Sequence, residues 1–433
     1  MTVPTTHRPP VFLLGGRVNA LSAIRSLGAR GVEVNVLDHQ GEARLVARSR
    51  YCHRYLDTPP GTSTATWWLD HLRTEGRGAV VFPCNDVGLE FLARNQSELV
   101  AAGCLPIEAD GEALLVALDK EATYRRAREV GVPAPSTVHI RALDDAVNAA
   151  DTLDFPFAVK PASAHRFWET LQEHPDVLAT WLDHPKGIVL RDREQFLRVV
   201  EPLVALEIEV LATEVVVGPD DLYCSYYTYL DPDGEPLFHF TKRKPRQFPI
   251  HFGNGTFHIT EWQPDVVELG LRLCRGLGLR GICNVEFKRD SRNGELRLIE
   301  CNARLTASDP LERRAGVDLP WIAYSRAIGQ PVTVPSRFPD GLCLWLPLGD
   351  LRAFRSYRRA GELTTTAWLG SLAHRQSFTV FDLADLGPVS SIVARRAKSL
   401  LPRLVRASAG RRRTTGDRAE ATAMSVASRP KDA

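Results

Sequence analysis

The first part of the chain alternates short apolar runs with stretches in which apolar residues recur at helical spacing. The runs at Val11–Leu14, 32–38 and 78–83 predict strands, and the segments after the first and third predict helices. This alternation indicates a parallel sheet of the Rossmann-like kind. Asn85 and Asp86 follow the third strand, so they face a substrate at the sheet edge, unless Asp86 only caps the next helix.

Glycines after the first strand bear on a dinucleotide site. Gly15 and Gly16 are followed by Arg17, Val18 and Asn19, which is not the G-x-G-x-x-G pattern that lets a backbone approach a pyrophosphate. We therefore expect a structural Rossmann-like half, and a nicotinamide-dependent oxidoreductase is kept as a third hypothesis.

Between residues 116 and 330 the pattern becomes richer in strands and hairpins. The predicted elements are a strand ending in lysine at 155–161, a strongly apolar strand at 208–218, a hairpin at 223–240, a helix from Pro264, and a helix from Asp309 to about Gly329. The whole chain is therefore predicted to combine α/β and α+β parts.

A second predicted hairpin, with strands at 281–288 and 296–302, carries acids on one face. Alternation places Glu286 and Lys288 on one face of the first strand, and Leu298, Glu300 and Asn302 on one face of the second. With 292–294 as the loop, Glu286 lies opposite Glu300.

Opposed carboxylates repel each other unless a cation or a proton lies between them. Cross-strand partners stand roughly 5 Å apart at Cβ, and the amide oxygen of Asn302 adds a third hard ligand beside Glu286 and Glu300. This arrangement predicts a magnesium site. The alternative is a polar stripe that faces solvent.

Composition limits the class of protein. The 433 residues suggest two or three domains, and 54 basic against 52 acidic side chains argue against a dedicated nucleic-acid binder. The eight cysteines form no C-x-x-C pair, which fits a reducing cytoplasm. We find no signal sequence and no apolar segment of membrane-spanning length, so a cytoplasmic location is expected.

The order of several residues resembles a known family. Lys120, Lys160, the run 213–221, Glu286 and the run 300–304, which is E-C-N-A-R, occur in the order found in the ATP-grasp superfamily. The chain is more narrowly similar to its carboxylate-amine ligases, the group that includes D-aspartate ligase. The resemblance covers about residues 10 to 330, and its most specific part is E-C-N-A-R.

The resemblance implies roles for the nucleotide-binding residues. ATP would lie between two small α+β lobes, with Lys120 and Lys160 on its phosphates. Glu214 and the Val215 and Val216 backbone would form the adenine hinge, and Asp221 would accept from the ribose hydroxyls. Each lysine taken alone could also be a surface residue, and 213–221 could be an ordinary strand that enters a turn.

The resemblance also implies the metal ligands and the catalytic residues. Glu286, Glu300 and Asn302 would hold one or two Mg²⁺ ions, with Mn²⁺ as the alternative ion. Arg304 would stabilise the transferring phosphoryl group or bind a substrate carboxylate. Lys242 and Arg243, in a basic run at 242–246, would lie near the γ-phosphate or an acyl phosphate; a nucleic-acid patch is the weaker alternative.

One segment departs from the family pattern. After Lys160 and Pro161 the family has a loop rich in glycine and serine, whereas residues 162–169 here are Ala-Ser-Ala-His-Arg-Phe-Trp-Glu. Ser163, His165 or Arg166 could cover the phosphates instead. The departure also allows a protein that binds ATP with little turnover.

The predicted function is an ADP-forming ligase that joins a small-molecule carboxylate to an amine through an acyl phosphate. The alternatives are a regulatory or scaffold protein with a decayed ATP-grasp site, and an ATP-grasp ligase that uses a thiol or a carboxylation acceptor. No nucleic-acid partner is expected, and a homodimer is compatible with the sequence.

We divide the chain by these patterns. The predicted parts are a leader at 1–10, a Rossmann-like pre-ATP-grasp domain at 11–115, an ATP-grasp domain at 116–330, a subdomain with a basic helix at 331–405, and a disordered basic tail at 406–433. The basic helix, at 390–406, either forms a weak peripheral contact with an anionic membrane or is a solvated face.

Overall fold

A computed structural model describes residues 8–39, 45–182 and 186–393 of the chain. The predicted tail at 406–433 and the predicted basic helix beyond residue 393 lie outside these residues. None of the helices in the described ranges is long and apolar enough to cross a membrane.

The N-terminal part contains a five-stranded sheet in which all neighbouring strands are parallel, in the order β3-β2-β1-β4-β5. Its strands are β1 Val11–Leu14, β2 Val34–Asp38, β3 Arg54–Asp57, β4 Val80–Pro83 and β5 Leu105–Pro106. Its helices are α1 Val18–Gly28, α2 Thr64–Glu75, α3 Asp86–Ala101 and α4 Gly111–Leu118. The boundary predicted at residue 115 falls inside α4, and the chain leaves helical geometry at Asp119, which caps α5.

A four-stranded antiparallel sheet in the order β6-β9-β7-β8 follows, and we call it with its helices the small lobe. Its strands are β6 Thr137–Ile140, β7 Phe157–Pro161, β8 Ile188–Leu190 and β9 Val210–Glu214. The helices of this region are α5 Lys120–Glu129, α6 Leu143–Thr152, α7 Ala164–Gln172, α8 Pro175–Trp181 and α9 Arg193–Ala205. The small lobe has a hydrophobic core of its own, which includes Phe157, Trp181 and Phe196.

The third sheet, of seven strands in the order β14-β13-β10-β11-β12-β15-β16, forms the large lobe. Its strands are β10 Tyr223–Leu230, β11 Phe240–Phe248, β12 Asn254–Thr260, β13 Gly281–Arg289, β14 Leu296–Asn302, β15 Cys343–Trp345 and β16 Gln376–Ser377. The helices are α10 Pro264–Gly276, α11 Asp309–Arg314, α12 Leu319–Ala327, α13 Pro347–Arg359 and α14 Thr365–Ser371. Its core is continuous with that of the N-terminal sheet.

The acidic hairpin has the predicted partners but not the predicted register throughout. Glu286 lies opposite Glu300, yet a bulge follows, because Phe287 lies opposite Leu298 and leaves Ile299 without a partner. The bulge moves Leu298 to the core side, where it is fully buried. The expectation that Leu298 shares a face with Glu300 is therefore wrong.

Two other predicted elements have different bounds. The helix expected from 309 to 329 is divided into α11 and α12, and Gly316 between them has a φ of +99°. The basic run at 242–246, expected to follow a hairpin, lies inside β11. Its charges are accommodated in a buried strand because each has a partner, as described below.

The region after residue 331 extends the large lobe, since β15 pairs with β12 and β16 with β15. Helix α13 is attached through Asp350, which is fully buried and accepts from Arg246 at 2.7 and 3.0 Å. Trp345 and Trp368 also donate their indole N–H groups to Asp350. The chain then returns to α1, where buried Arg25 contacts Asp385 at 2.9 Å.

Candidate active site

The described charged groups of the two lobes converge on the acidic hairpin. Glu286 and Glu300 come from the large lobe, Lys160 ends β7 in the small lobe, and Lys186 precedes β8. Lys120 is the first residue of α5, after the cap formed by Asp119. The charge of Lys120 is close enough to affect the pKa of both Lys160 and Glu300.

Glu300 is an ionised carboxylate. Burial by itself raises its pKa, but the charges of Lys120, Lys186 and Arg304 and a hydrogen bond with Asn302 lower the pKa of Glu300 to about 2. Asn302 also donates to the Oδ1 atom of Asn284 at 3.4 Å.

Glu286 has a cation beside it. The ammonium nitrogen of Lys244 lies 2.8 Å from Oε1 of Glu286, and the Lys244 side chain is 5% exposed. Lys244 was expected only as part of a basic run. The structure brings it to the carboxylates because alternate residues of β11 share a face.

These residues fit a magnesium ion that is completed by phosphate oxygens. The described residues contain no group of three or more His, Cys, Asp or Glu side chains that could hold a metal by themselves. Mg²⁺ usually keeps several waters and binds one or two carboxylates together with substrate phosphates. Two carboxylates and one amide match that requirement.

Three lysines, Lys120, Lys160 and Lys186, add positive charge around these two carboxylates. Burial, followed by the charge of Lys120, lowers the pKa of Lys160 to about 8. Burial also lowers the pKa of Lys186, against the opposing effects of Glu300 and Glu286. Three lysines that repel one another near two carboxylates form a site for a polyanion.

The segment after β9 connects the lobes. Val215 and Val216 lie between β9 and β10, so the predicted adenine hinge runs from the small lobe to the large lobe. The Glu214 carboxylate accepts from Arg292 at 2.9 Å. Asp221 is exposed, whereas its neighbour Asp220 is buried and accepts from the backbone N–H of His251.

Arg304 bridges the large lobe and the N-terminal sheet. Its Nε donates to Asp86 Oδ1 at 2.6 Å, and burial, which would lower its pKa, is outweighed by Asp86, which raises the pKa of Arg304. Asn85, not Asp86, caps α3 by accepting from Gly88 at 2.8 Å. Asp86 is therefore free of the capping role and faces Arg304.

The two predicted catalytic residues of the basic run point in different directions. Lys242 is buried, with Nζ 3.3 Å from Glu312 and within hydrogen-bond distance of Ser308. Arg243 pairs with Glu261 on the opposite face of the sheet. The structure does not bring Arg243 to the cleft, because adjacent strand residues point to opposite faces.

The glycine turn after β1 is filled by side chains. A Cβ atom on Gly16 would lie 2.5 Å from Asp38 Oδ2, and one on Gly15 would lie 2.3 Å from Asn85. Asp38 is buried and accepts from the Tyr55 hydroxyl at 2.7 Å. This packing gives no support to a dinucleotide at the turn.

The segment expected to replace the glycine-rich loop is largely helical. Ser163 precedes α7, and His165 and Arg166 lie within its first turn; the side chains of these two residues lie outside what the structure describes. A helix N-terminus presents backbone N–H groups, as a glycine-rich loop does.

Comparison with known proteins identifies the class. Residues 261–334 match the family model of the carbamoyl-phosphate synthase L chain ATP-binding domain. The biotin carboxylase domain of the Hydrogenobacter thermophilus 2-oxoglutarate carboxylase, solved as a dimer with MgADP and bicarbonate, has a TM-score of 0.58 at 16% identity and covers 77% of this chain and 73% of its own. The L-amino acid ligase of Bacillus licheniformis has a TM-score of 0.55 at 14% identity and covers 75% of both chains. The chain has the ATP-grasp fold.

Curated relatives narrow the resemblance. The D-aspartate ligase of Enterococcus faecium is 21% identical over 315 residues, which are 70% of this chain and 72% of that protein. The N-terminal section of the Methanopyrus kandleri carbamoyl phosphate synthase large chain is 24% identical over 229 residues, or 50% of this chain and 37% of that protein. The predicted similarity to ATP-grasp carboxylate-amine ligases is confirmed.

Two site residues were missed by sequence reasoning. Lys186 is an isolated lysine before a short strand, and no pattern around it signals a ligand. Lys244 could have been found from the alternation within β11, had the strand been extended through the basic run.

Proposed function

We propose that this chain is an ADP-forming carboxylate-amine ligase that uses ATP and Mg²⁺ between its two lobes. The observation that carries the proposal is the opposition of Glu286 and Glu300, with lysines from both lobes around them. A site of this charge pattern attracts a metal-bound polyphosphate.

In this proposal the charges of Lys120, Lys160 and Lys186 neutralise phosphate oxygens; Lys186 is the one that only the structure brings to the site. The Val215 and Val216 backbone reads the adenine edge, while Glu214 anchors the hinge through Arg292. Exposed Asp221 accepts from the ribose hydroxyls.

Glu286, Glu300 and Asn302 would hold Mg²⁺, which would neutralise the charge of the phosphates; Mn²⁺ is the alternative ion. Arg304 orients the acid substrate or the transferring phosphoryl group. The buried Lys242 contributes its positive charge from below the surface of the cleft. The acid attacks the γ-phosphorus, and the amine then displaces phosphate from the acyl phosphate. Positioning and charge stabilisation carry such transfers.

The same proposal assigns the remaining parts. Residues 11–115 form a Rossmann-like pre-ATP-grasp domain, which the parallel strand order supports. Residues 116–330 form the ATP-grasp domain, and 331–405 form a subdomain whose described strands, β15 and β16, extend its sheet. We place the protein in the cytoplasm, with a homodimer as its assembly.

A second candidate is a protein that binds ATP without turning it over. It is favoured by residues 162–169, which contain no glycine and largely form the start of α7. Acid-dependent ADP release separates the two functions. A ligase with a thiol or carboxylation acceptor would release ADP only with that acceptor.

Calorimetric titration of ATP, with and without Mg²⁺, tests the proposal on the wild type and Glu300→Gln. We expect magnesium-dependent binding in the wild type that weakens at least about tenfold in the variant. Glu295→Gln, in the turn of the same hairpin, is the matched control and should bind normally. No binding to the wild type would contradict the proposal; binding would justify a screen of acids and amines for ADP release.

A further inference from the structure

Three hydroxyl groups form a connected chain beyond Arg304. The Thr306 and Ser308 hydroxyl oxygens are 2.8 Å apart, and each lies 3.0 Å from the Tyr227 hydroxyl. Thr306 is half-buried, whereas Ser308 and Tyr227 are buried. The chain of hydroxyls therefore leads from a half-buried side chain to buried ones.

The inner end of this chain is a carboxylate. Oε1 of Glu312 accepts from Ser308 at 3.4 Å and lies 3.3 Å from Lys242 Nζ. Glu312 is fully buried, and among the described residues its Oε2 atom has no hydrogen-bond partner. Burial, which outweighs Lys242, raises the pKa of Glu312, so this carboxylate has an enhanced tendency to take up a proton.

The position of the hydroxyl chain relative to the candidate active site indicates a function for it. Thr306 lies two residues after Arg304 and four after Asn302, the last residue of the strand that carries Glu300. Its position is held from behind, because Thr379 donates to the carbonyl oxygen of Ala307 at 3.1 Å. Tyr227, which bonds to Thr306, lies opposite Asn284, and Asn284 lies opposite Asn302, so the hydroxyl chain lies beside the end of the strand that carries the candidate metal ligands.

We propose that Thr306, Ser308 and Glu312 form a proton relay that removes the proton from the attacking amine; this rests on the proposed ligase function. The neutral amine nitrogen forms a bond to the acyl carbon, and the bond from that carbon to the phosphate oxygen breaks, so that phosphate leaves with the electron pair. The positively charged nitrogen gives one proton to Thr306 Oγ1, the Thr306 proton passes to Ser308 Oγ, and the Ser308 proton passes to Glu312.

The ionisation of the neighbouring side chains is consistent with Glu312 as the proton acceptor. Burial and the charge of Glu312 raise the pKa of Asp309 well above its usual range, which favours the protonated form of Asp309. Burial also raises the pKa of Tyr227. Lys242 stays charged, and buried His258 faces Lys242 and Lys244. The charge of Lys242 favours the ionised form of Glu312, and Lys242 also donates to Ser308.

The test measures the reaction of two nucleophiles, an alkyl amine and hydroxylamine, in the wild type, Thr306→Val and Thr306→Ser. The carboxylic acid is one that supports ADP release in the screen. Hydroxylamine is much less basic than an alkyl amine, so after attack it can lose its proton to water. Thr306→Val should lower kcat with the alkyl amine about 100-fold, while its KM and the rate of hydroxamate formation stay within about twofold. Thr306→Ser keeps the hydroxyl and should behave as the wild type does.

A second variant examines the inner end. Glu312→Gln removes the proton acceptor and keeps an amide oxygen that can accept from Lys242 and Ser308. In this variant too, kcat with the alkyl amine should fall while the rate of hydroxamate formation stays close to that of the wild type.

The outcomes separate the two proposals. Equal losses with both nucleophiles, or an alkyl-amine kcat of Thr306→Val close to that of the wild type, would overturn the relay and leave the ligase function intact. A wild type that forms neither ADP nor hydroxamate with any acid would overturn the ligase function, and the relay with it.

Discussion

Lys244 Nζ lies 2.8 Å from Glu286 Oε1, so one carboxylate of the candidate metal site carries a positively charged partner of its own. The same ammonium lies 4.1 Å from the centre of the Tyr223 ring. Lys244 can therefore hold the carboxylate in place before a metal arrives, and a metal at Glu286 must compete with it.

The first prediction concerns that competition. Lys244→Met should increase the affinity for Mg²⁺ alone about tenfold, because one positive charge beside the ligand is removed. It should also decrease turnover, since a charge next to the phosphates is lost. Calorimetry with MgCl₂ measures the first effect. Arg243→Met is the control, because Arg243 pairs with Glu261 on the other face and should change neither quantity.

The second prediction concerns pH. The pKa of Lys160 is about 8, below its ordinary value, so free protein loses this charge as the pH rises through 8, whereas bound phosphates would retain it. Binding of Mg-ATP should thus weaken between pH 7 and 9 and be accompanied by proton uptake. Calorimetry at pH 8.5 in buffers of different ionisation enthalpy measures this uptake. Lys160→Arg should abolish the uptake, because arginine stays charged; unchanged uptake would contradict the assignment.

The third prediction concerns Lys186. Its charge interacts favourably with Glu300 and Glu286, and it should also contact phosphate oxygens. Lys186→Met should weaken Mg-ATP about tenfold. Lys186→Arg should retain most of the affinity. If the methionine and arginine variants bind ATP equally well, Lys186 is not part of the site.

The fourth prediction concerns the attachment of α13. Asp350→Asn leaves the buried Arg246 guanidinium without its charge partner, and breaking a buried pair costs about 3 to 5 kcal/mol. Urea unfolding measures the loss. Glu268→Gln breaks an exposed pair with Arg272 and should change the free energy of unfolding by less than about 1 kcal/mol.

The sequence predicted those parts of the site that depend on local alternation. Glu286 was expected opposite Glu300, and it is. The bulge at Ile299 was not foreseeable, because nothing in the alternation of β14 signals an extra residue. Lys120 and Lys160 were expected as phosphate ligands from family order; the charge of Lys120 lowers the pKa of Lys160, and their role as ligands stays a prediction.

The basic run was harder to interpret from sequence. Lys242 and Arg246 look like loop residues, because a charged side chain seldom occupies a buried strand without a partner. Their partners, Glu312 and Asp350, lie 70 and 104 residues further along the chain. Only the tertiary fold makes these charges compatible with β11.

The contact between Arg25 and Asp385 has a consequence for biosynthesis. The two residues are 360 positions apart, and Arg25 is on α1, the first helix of the described residues. During translation the N-terminal sheet can form early, but this guanidinium must stay hydrated until nearly the whole described chain has emerged. In a nascent chain stalled before residue 385, helix α1 should therefore be less stable than it is in the finished protein.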